Sequence, residues 1–155
     1  MKNLLIYKSK FCNLFIIEEN DKICRVSFDG KKSKDIKQNE TPLLKKAAKQ
    51  FDEYFAGKRK SFDLPLALNG TDFQISVWNV LLKIPYGKTR CYGEIAAQAG
   101  NPKACRAAGM ANNRNPMAII IPCHRVIGKD GKLTGYAGGL ELKQKLLDLE
   151  KNQPC

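Results

Sequence analysis

Residues 71–113 read TDFQISVWNVLLKIPYGKTRCYGEIAAQAGNPKACRAAGMANN, and the folding of this stretch decides the architecture of the second half of the chain. Phe73, Val77, Trp78, Leu81 and Leu82 recur at helical spacing, which predicts a helix from about Asp72 to Lys83 with these side chains on one side. Ile84-Pro85-Tyr86-Gly87 stops it. A second helix is expected over Tyr92–Ala99, broken by Gly100-Asn101-Pro102. Pro102 then suits the first position of a third helix, from Lys103 to about Asn113, because the first N–H of a helix needs no partner. Two short helices joined by a glycine-containing turn suggest a helix-turn-helix, although any corner between two helices leaves the same trace.

Upstream, LFIIEENDKICRVSFDG (14–30) predicts two strands around the turn Glu19-Asn20-Asp21-Lys22. After a lysine-rich loop, Thr41-Pro42 opens a helix whose apolar positions are Leu43, Leu44, Ala47, Ala48, Phe51, Tyr54 and Phe55, ended by Gly57. The chain is expected to change domains around Leu68-Asn69-Gly70-Thr71, giving a supporting domain over 1–68 and a second domain over 69–155. Downstream, Ala118-Ile119-Ile120-Ile121 predicts a short buried strand terminated by Pro122. A glycine-rich loop, Gly128 to Gly139, leads into a last helix, Leu140–Lys151, with Leu142, Leu146 and Leu149 as its core stripe.

The 155 residues are 43% apolar, ordinary for a folded domain, and carry a net charge of +12. Between Phe73 and Lys129 stand Lys83, Lys88, Arg90, Lys103, Arg106, Arg114, Arg125 and Lys129 against one acid, Glu94, so this segment is expected to face phosphates. No apolar run is long enough to cross a bilayer, and Lys8 and Lys10 interrupt the first apolar stretch; neither membrane nor secretion is expected. The expected location is the cytoplasm, or the nucleus in a eukaryote. The cysteines at 12, 24, 91, 105, 123 and 155 include no C-x-x-C pair, and with a single histidine a zinc site is poorly supported. Free thiols are the expectation.

One of those cysteines stands in IPCHRV (121–126), beside the chain's only histidine. A cysteine in such a protein is usually a small buried hydrophobe. Cys123 differs in its setting, because an adjacent imidazole and a basic segment are conditions that lower a thiol's pKa. Neighbouring side chains of extended backbone point to opposite sides, so a direct Cys123–His124 pair is not expected and a relay through water fits better. A histidine acting as base needs a carboxylate to orient it, and Asp130, Glu141, Asp148 and Glu150 are near in sequence. Glu150 stands out at a helix C-terminus, where the dipole disfavours an anion unless a buried partner compensates. These residues point to a nucleic-acid-facing helix pair beside an activated cysteine and do not name a reaction.

Three stretches, FQISVWNVLLKIPYGKTRCYGEIA, GNPKACRAAGMANNRNP and IIIPCHRVIGKDGKLTGYAGGLELKQKLLDLE, resemble the O6-alkylguanine-DNA alkyltransferases (methylated-DNA–protein-cysteine methyltransferases) from about Thr71 to Glu150. The first 68 residues match that family only in layout. The resemblance implies an α+β fold: a small N-terminal antiparallel sheet with a helix, RNase H-like, then a mostly helical C-terminal domain carrying a DNA-binding helix-turn-helix. It makes Cys123 the alkyl acceptor, His124 the base acting through water, Glu150 the carboxylate that polarises it and Asn115 a hinge. Arg106 falls on the finger that enters the base stack when the damaged nucleotide flips out. Tyr92 falls on the donor to guanine N3, Tyr136 on the loop covering the base, Val126 on a contributing carbonyl and Ala137 on a backbone N–H. The family lays the helix containing Ala104, Ala107, Ala108 and Gly109 in the minor groove, where small side chains allow close approach.

The implied reaction is a direct, single-turnover displacement from O6-alkylguanine, with O4-alkylthymine a second candidate, in double-stranded DNA. No cofactor or metal is implied, and a monomer suffices. Cys91 and Ala137 stand where relatives often carry Ser, which bears on substrate range and DNA affinity. A lesion-binding protein without activity, a helix-turn-helix regulator and a Cys-His hydrolase are the competing readings. The presence of Cys123, the alanine-rich recognition helix and the lone histidine weigh against them in turn.

Overall fold

Asn20 and Asp21 adopt left-handed backbone (φ 53° and 62°), the geometry of a tight hairpin turn that these two residue types tolerate best among those with a Cβ. They join β2 (Asn13–Glu19) to β3 (Lys22–Ser27), the hairpin expected from the sequence. The computed structural model describes residues 1–151. It adds a strand the sequence reading left out, β1 (Lys2–Lys8), giving an antiparallel sheet in the order β1-β2-β3. Lys8 and Lys10, read only as interruptions of an apolar run, flank the end of that edge strand, where lysine is at home.

The chain divides into two units. The first comprises Met1–Leu68 together with Pro116–Ala118. Within it, α1 (Pro42–Phe55) starts where expected: Thr41 Oγ1 accepts the Leu44 N–H at 3.2 Å and Pro42 occupies the first turn. Leu44, Ala47, Phe51 and Tyr54 are fully buried, so the helical spacing marked the core face correctly. Gln50 on the same helix exchanges two hydrogen bonds with the backbone of Asp63, at 3.0 and 2.9 Å. Pro116–Ala118 adds one bridge to β3, Val26 opposite Met117.

The second unit comprises Asn69–Asn115 and the chain from Ile119 onward. Its first helix, α2 (Asp72–Leu82), opens with a reciprocal cap: Thr71 Oγ1 accepts from Gln74 N at 3.1 Å and Gln74 Oε1 accepts from Thr71 N at 3.0 Å. Gly70 leaves room for the Trp78 ring, since a Cβ there would lie 2.7 Å from it. Val77, Trp78 and Leu81 are buried, but Leu82, expected on the same side, is 40% exposed. A two-residue strand, β4 (Arg90–Cys91), precedes α3 (Tyr92–Gln98) and pairs in parallel with β5 (Val126–Ile127). α4 (Cys105–Asn113) begins later than expected. Pro102 and Lys103 lie in a turn, held by the Ala104 N–H to Asn101 O at 3.0 Å and by Asn101 Oδ1 on the Lys103 N–H at 3.3 Å. The Asn101 side chain thus competes with the helix for those donors. The last helix, α5, spans Leu140–Lys151.

Trp78 fixes α2 against α4 by donating its ring N–H to Ala111 O at 2.9 Å. Trp78→Phe is expected to lower stability by about 1–2 kcal/mol, through a lost buried hydrogen bond and a smaller ring. The urea midpoint by circular dichroism checks it.

The expected strand over Ala118–Ile121 is not one. Only Met117 pairs, and Ala118–Ile120 form a turn in which Ile119 has φ 70°, strained for a β-branched residue. All of 117–121 is buried, so the apolar run recorded enclosure rather than strand geometry. No described helix is long and apolar enough to cross a membrane.

Candidate active site and nucleic-acid face

Beyond Pro122 the backbone tightens into a single 3-10 turn, Cys123–Arg125, with the Cys123 N–H on Ile121 O at 2.7 Å and the Arg125 N–H on Pro122 O at 3.0 Å. The extended geometry expected here is therefore replaced, but successive side chains of a three-residue turn still diverge. His124 turns toward α5, where its Nε2 lies 2.6 Å from Glu150 Oε2. The ring is 0% and the carboxylate residue 3% exposed. Of the four carboxylates near in sequence, Glu150 is the one brought to the histidine.

Arg125, counted from sequence among phosphate-facing residues, is instead buried at 6% exposure. It grips Glu150 with two bonds, Nε to Oε1 at 2.7 Å and Nη2 to Oε2 at 3.1 Å, and donates Nη1 to Ile84 O at 2.8 Å. Its guanidinium also sits 5.5 Å from the centre of the Tyr86 ring. This fork resolves the apparent misfit of an acid at a helix C-terminus, because two donors fix both carboxylate oxygens. Burial alone would raise the Glu150 pKa; the hydrogen bond and charge of His124, then those of Arg125, outweigh it and hold the carboxyl at about 2.

Burial lowers the pKa of His124, against the raising effect of Glu150, so the ring rests neutral at physiological pH. With Nε2–H directed at Glu150, the other ring nitrogen carries the free lone pair. Among the described residues Nδ1 is buried with no protein hydrogen-bond partner. Both groups bind a proton less readily folded than unfolded, so stability is fully present above about pH 6.5. It is lost on acidification, first as unfolded His124 begins to protonate and then between about pH 4.5 and 2 through Glu150. Urea midpoints measured from pH 8 to 3 should fall monotonically below 6.5.

Cys123 is 8% exposed. Burial raises its pKa, opposed by a hydrogen bond from Asn115 and the charge of Lys143. The expectation of a lowered pKa is thus corrected: the thiol rests protonated, because enclosure outweighs the surrounding positive charge. Asn115 also donates Nδ2 to Ile121 O at 2.7 Å, tying the end of α4 to the residues before the thiol.

The base side is assembled by α3, α4 and the glycine-rich loop. Tyr92, Cys105, Arg106, Gly109, Asn113, Thr134 and Gly135 line a cavity of about 280 Å³. The Tyr92 hydroxyl lies 2.5 Å from Thr134 Oγ1. Arg106 and Ala107 are exposed on α4, whereas Ala108 packs inside. Gly109 faces the Tyr92 ring, with room for a Cβ at 3.8 Å. The Tyr136 ring stands edge-on to His124 at 6.4 Å, and Ala137 is exposed in the loop. The Val126 carbonyl already accepts a bond from Lys143 Nζ at 2.6 Å.

Sequence reasoning missed Arg125, Thr134 and Lys143. A signal existed for the last: Lys143, Leu146 and Glu150 stand at i, i+3 and i+7, one face of α5, so two charges share the face of a core leucine.

Two family profiles match the chain: the DNA-binding domain of 6-O-methylguanine DNA methyltransferase over residues 72–152, and its ribonuclease-like domain over 5–68. A Methanosarcina acetivorans protein named methylated-DNA–protein-cysteine methyltransferase is 53% identical over 150 residues, 94% of this chain and 96% of its own. The crystal structure of Mycobacterium tuberculosis O6-methylguanine methyltransferase superposes with a TM-score of 0.91 at 42% identity, covering 100% of this chain and 96% of the other. Mycobacterium tuberculosis OGT in complex with DNA gives 0.87 at 45% identity, with 97% and 92% covered. With both halves matched in order, and identity above one half to a relative of nearly equal length, the chain belongs to the 6-O-methylguanine DNA methyltransferase family.

Proposed function

We propose that this protein repairs DNA by direct reversal, moving the alkyl group of O6-alkylguanine in double-stranded DNA onto Cys123 in one irreversible turnover. The observation that carries this reading is the neutral, fully enclosed His124. One ring nitrogen is fixed by Glu150 and the other bears a lone pair with no protein partner, on the turn that carries the thiol. A water bridging Cys123 and Nδ1 passes the thiol proton to the imidazole. The resulting imidazolium lies against the Glu150 carboxylate, which offsets the cost of charging a buried ring. The thiolate attacks the alkyl carbon while the carbon–O6 bond breaks. The electron pair moves into the purine, where the Tyr92 hydroxyl, released from Thr134, donates to N3. The product is a thioether, which has no leaving group to reverse the step, so each molecule acts once.

Asn115 holds the approach to the thiol through its bonds to Ile121 and Cys123. The target atom cannot reach a buried sulfur from within a stacked duplex, so the nucleotide is flipped. Exposed Arg106, at the lip of the Tyr92 cavity, fills the gap it leaves. Ala107 lets α4 approach the groove, and Tyr136, Val126 and Ala137 contact the extruded base. The relative solved with DNA supports DNA as the partner. The protein acts as a monomer in the cytoplasm.

The experiment is mass spectrometry after incubation with a duplex containing O6-methylguanine. One added methylene per protein, on the peptide holding Cys123, supports the proposal; tight binding with no mass change would leave a damage-recognition protein. Arg106→Ala should slow transfer from duplex on the order of tenfold or more, with little change toward the free base O6-methylguanine. Equal losses on both substrates would remove the flipping role.

A further inference from the structure

Lys143 is fully buried on α5, at 0% exposure. Its Nζ donates to Val126 O at 2.6 Å and to Thr134 O at 3.1 Å. Among the described residues none of the ion pairs gives it a carboxylate partner. A buried ammonium held only by carbonyls is costly to keep, and a leucine or methionine would complete the α5 stripe more cheaply. The two carbonyls it joins are informative. Val126 ends the turn that carries Cys123, its own N–H bonding back to Cys123 O. Thr134 belongs to the glycine-rich loop, and its hydroxyl meets that of Tyr92. One side chain therefore connects the wall of the base pocket, its covering loop and the phenol assigned to the leaving guanine.

We propose that Lys143 is a positioning residue of the base-binding side: its ammonium group spaces the Val126 carbonyl from the loop and, through Thr134, sets the aim of the Tyr92 hydroxyl. The inference rests on the alkyl-transfer reading above. Geometry explains the choice of lysine. An ammonium offers three donors on a flexible stem, enough to hold two carbonyls at an angle, whereas a neutral apolar side chain holds neither. Val126 O keeps a second lone pair for an incoming base, so the lysine orients that carbonyl without consuming it. The charge also favours thiolate at Cys123 and disfavours imidazolium at His124, so the test separates the base side from the thiol side.

Lys143→Met, Lys143→Arg and the unaltered protein are compared in two reactions. Transfer from the free base O6-methylguanine gives a half-saturation concentration, and alkylation of the Cys123 peptide by iodoacetamide from pH 6 to 10 gives the thiol's titration and its plateau rate. Lys143→Met should raise the half-saturation concentration tenfold or more while the iodoacetamide plateau stays within threefold, and Lys143→Arg should recover part of the loss. An unchanged half-saturation, or a plateau that falls as far as methyl transfer does, would overturn the proposal. Should Lys143→Met fail to fold, Thr134→Val probes the same chain with the charge in place. It should raise half-saturation severalfold, and no rise overturns the link to Tyr92. Failure of the unaltered protein to transfer any methyl would instead refute the alkyl-transfer reading itself.

Discussion

Cys123→Ala is expected to abolish alkyl transfer while leaving recognition of an O6-methylguanine duplex within severalfold of the unaltered protein. The side chain removed is one sulfur at the edge of the core. The His124–Glu150–Arg125 cluster that shapes the site is bonded within itself and does not depend on that sulfur. The binding surface on α4, with Arg106 and Ala107, is likewise untouched. The informative control is where methylation could reappear. Cys12 is held at about pKa 11 by burial, and Cys24 is raised for the same reason. Cys105 is the real rival, being exposed and lining the cavity with Tyr92 and Arg106. It lies on α4, not on the turn that carries His124. A thiol with no base beside it has little thiolate at neutral pH and should not react at a useful rate. Peptide mapping decides: a methylene on the Cys105 peptide of either protein would move the acceptor, and none on Cys123→Ala would leave Cys123 alone in that role.

The legible parts of the sequence were those set by local rules. The hairpin at Asn20-Asp21, the Thr41-Pro42 start of α1 and the Thr71–Gln74 cap each need only neighbouring residues. What failed depended on distant partners. Ile119–Ile121 looks like a strand until the single bridge at Met117 and the left-handed turn at Ile119 are seen. Arg125 looks like a phosphate contact because nothing near it in sequence says that Glu150, 25 residues away, will bury it. The same holds for the thiol: a basic neighbourhood on paper suggested a low pKa, and enclosure reversed the sign. Sequence patterns revealed which residues are chemically capable, whereas the depth at which each is buried required the fold.

Glu150→Ala carries the largest expected loss of stability, because it strands two buried groups at once. Arg125 would keep one carbonyl partner, Ile84 O, and His124 would lose its only hydrogen bond among those described. Removing one member of a buried pair costs about 3–5 kcal/mol, a large share of a typical domain's total. Glu150→Gln keeps the shape but presents an amide with one acceptor to donors that used two, and should cost somewhat less. It should also flatten the acid limb of the stability curve between pH 4.5 and 2, since the depressed carboxyl is gone. Transfer should fall with both variants, by on the order of a hundredfold, because the imidazolium formed by proton uptake loses its counter-charge. Arg125→Met combined with Glu150→Gln distinguishes the two roles. With both charges removed, the unfolding midpoint should recover toward the unaltered value, as buried pairs replaced together often do. The transfer rate should not recover, since His124 still lacks its carboxylate. A double variant that regains both would make Glu150 a purely structural partner of Arg125; one that regains stability alone assigns the carboxylate to the proton relay.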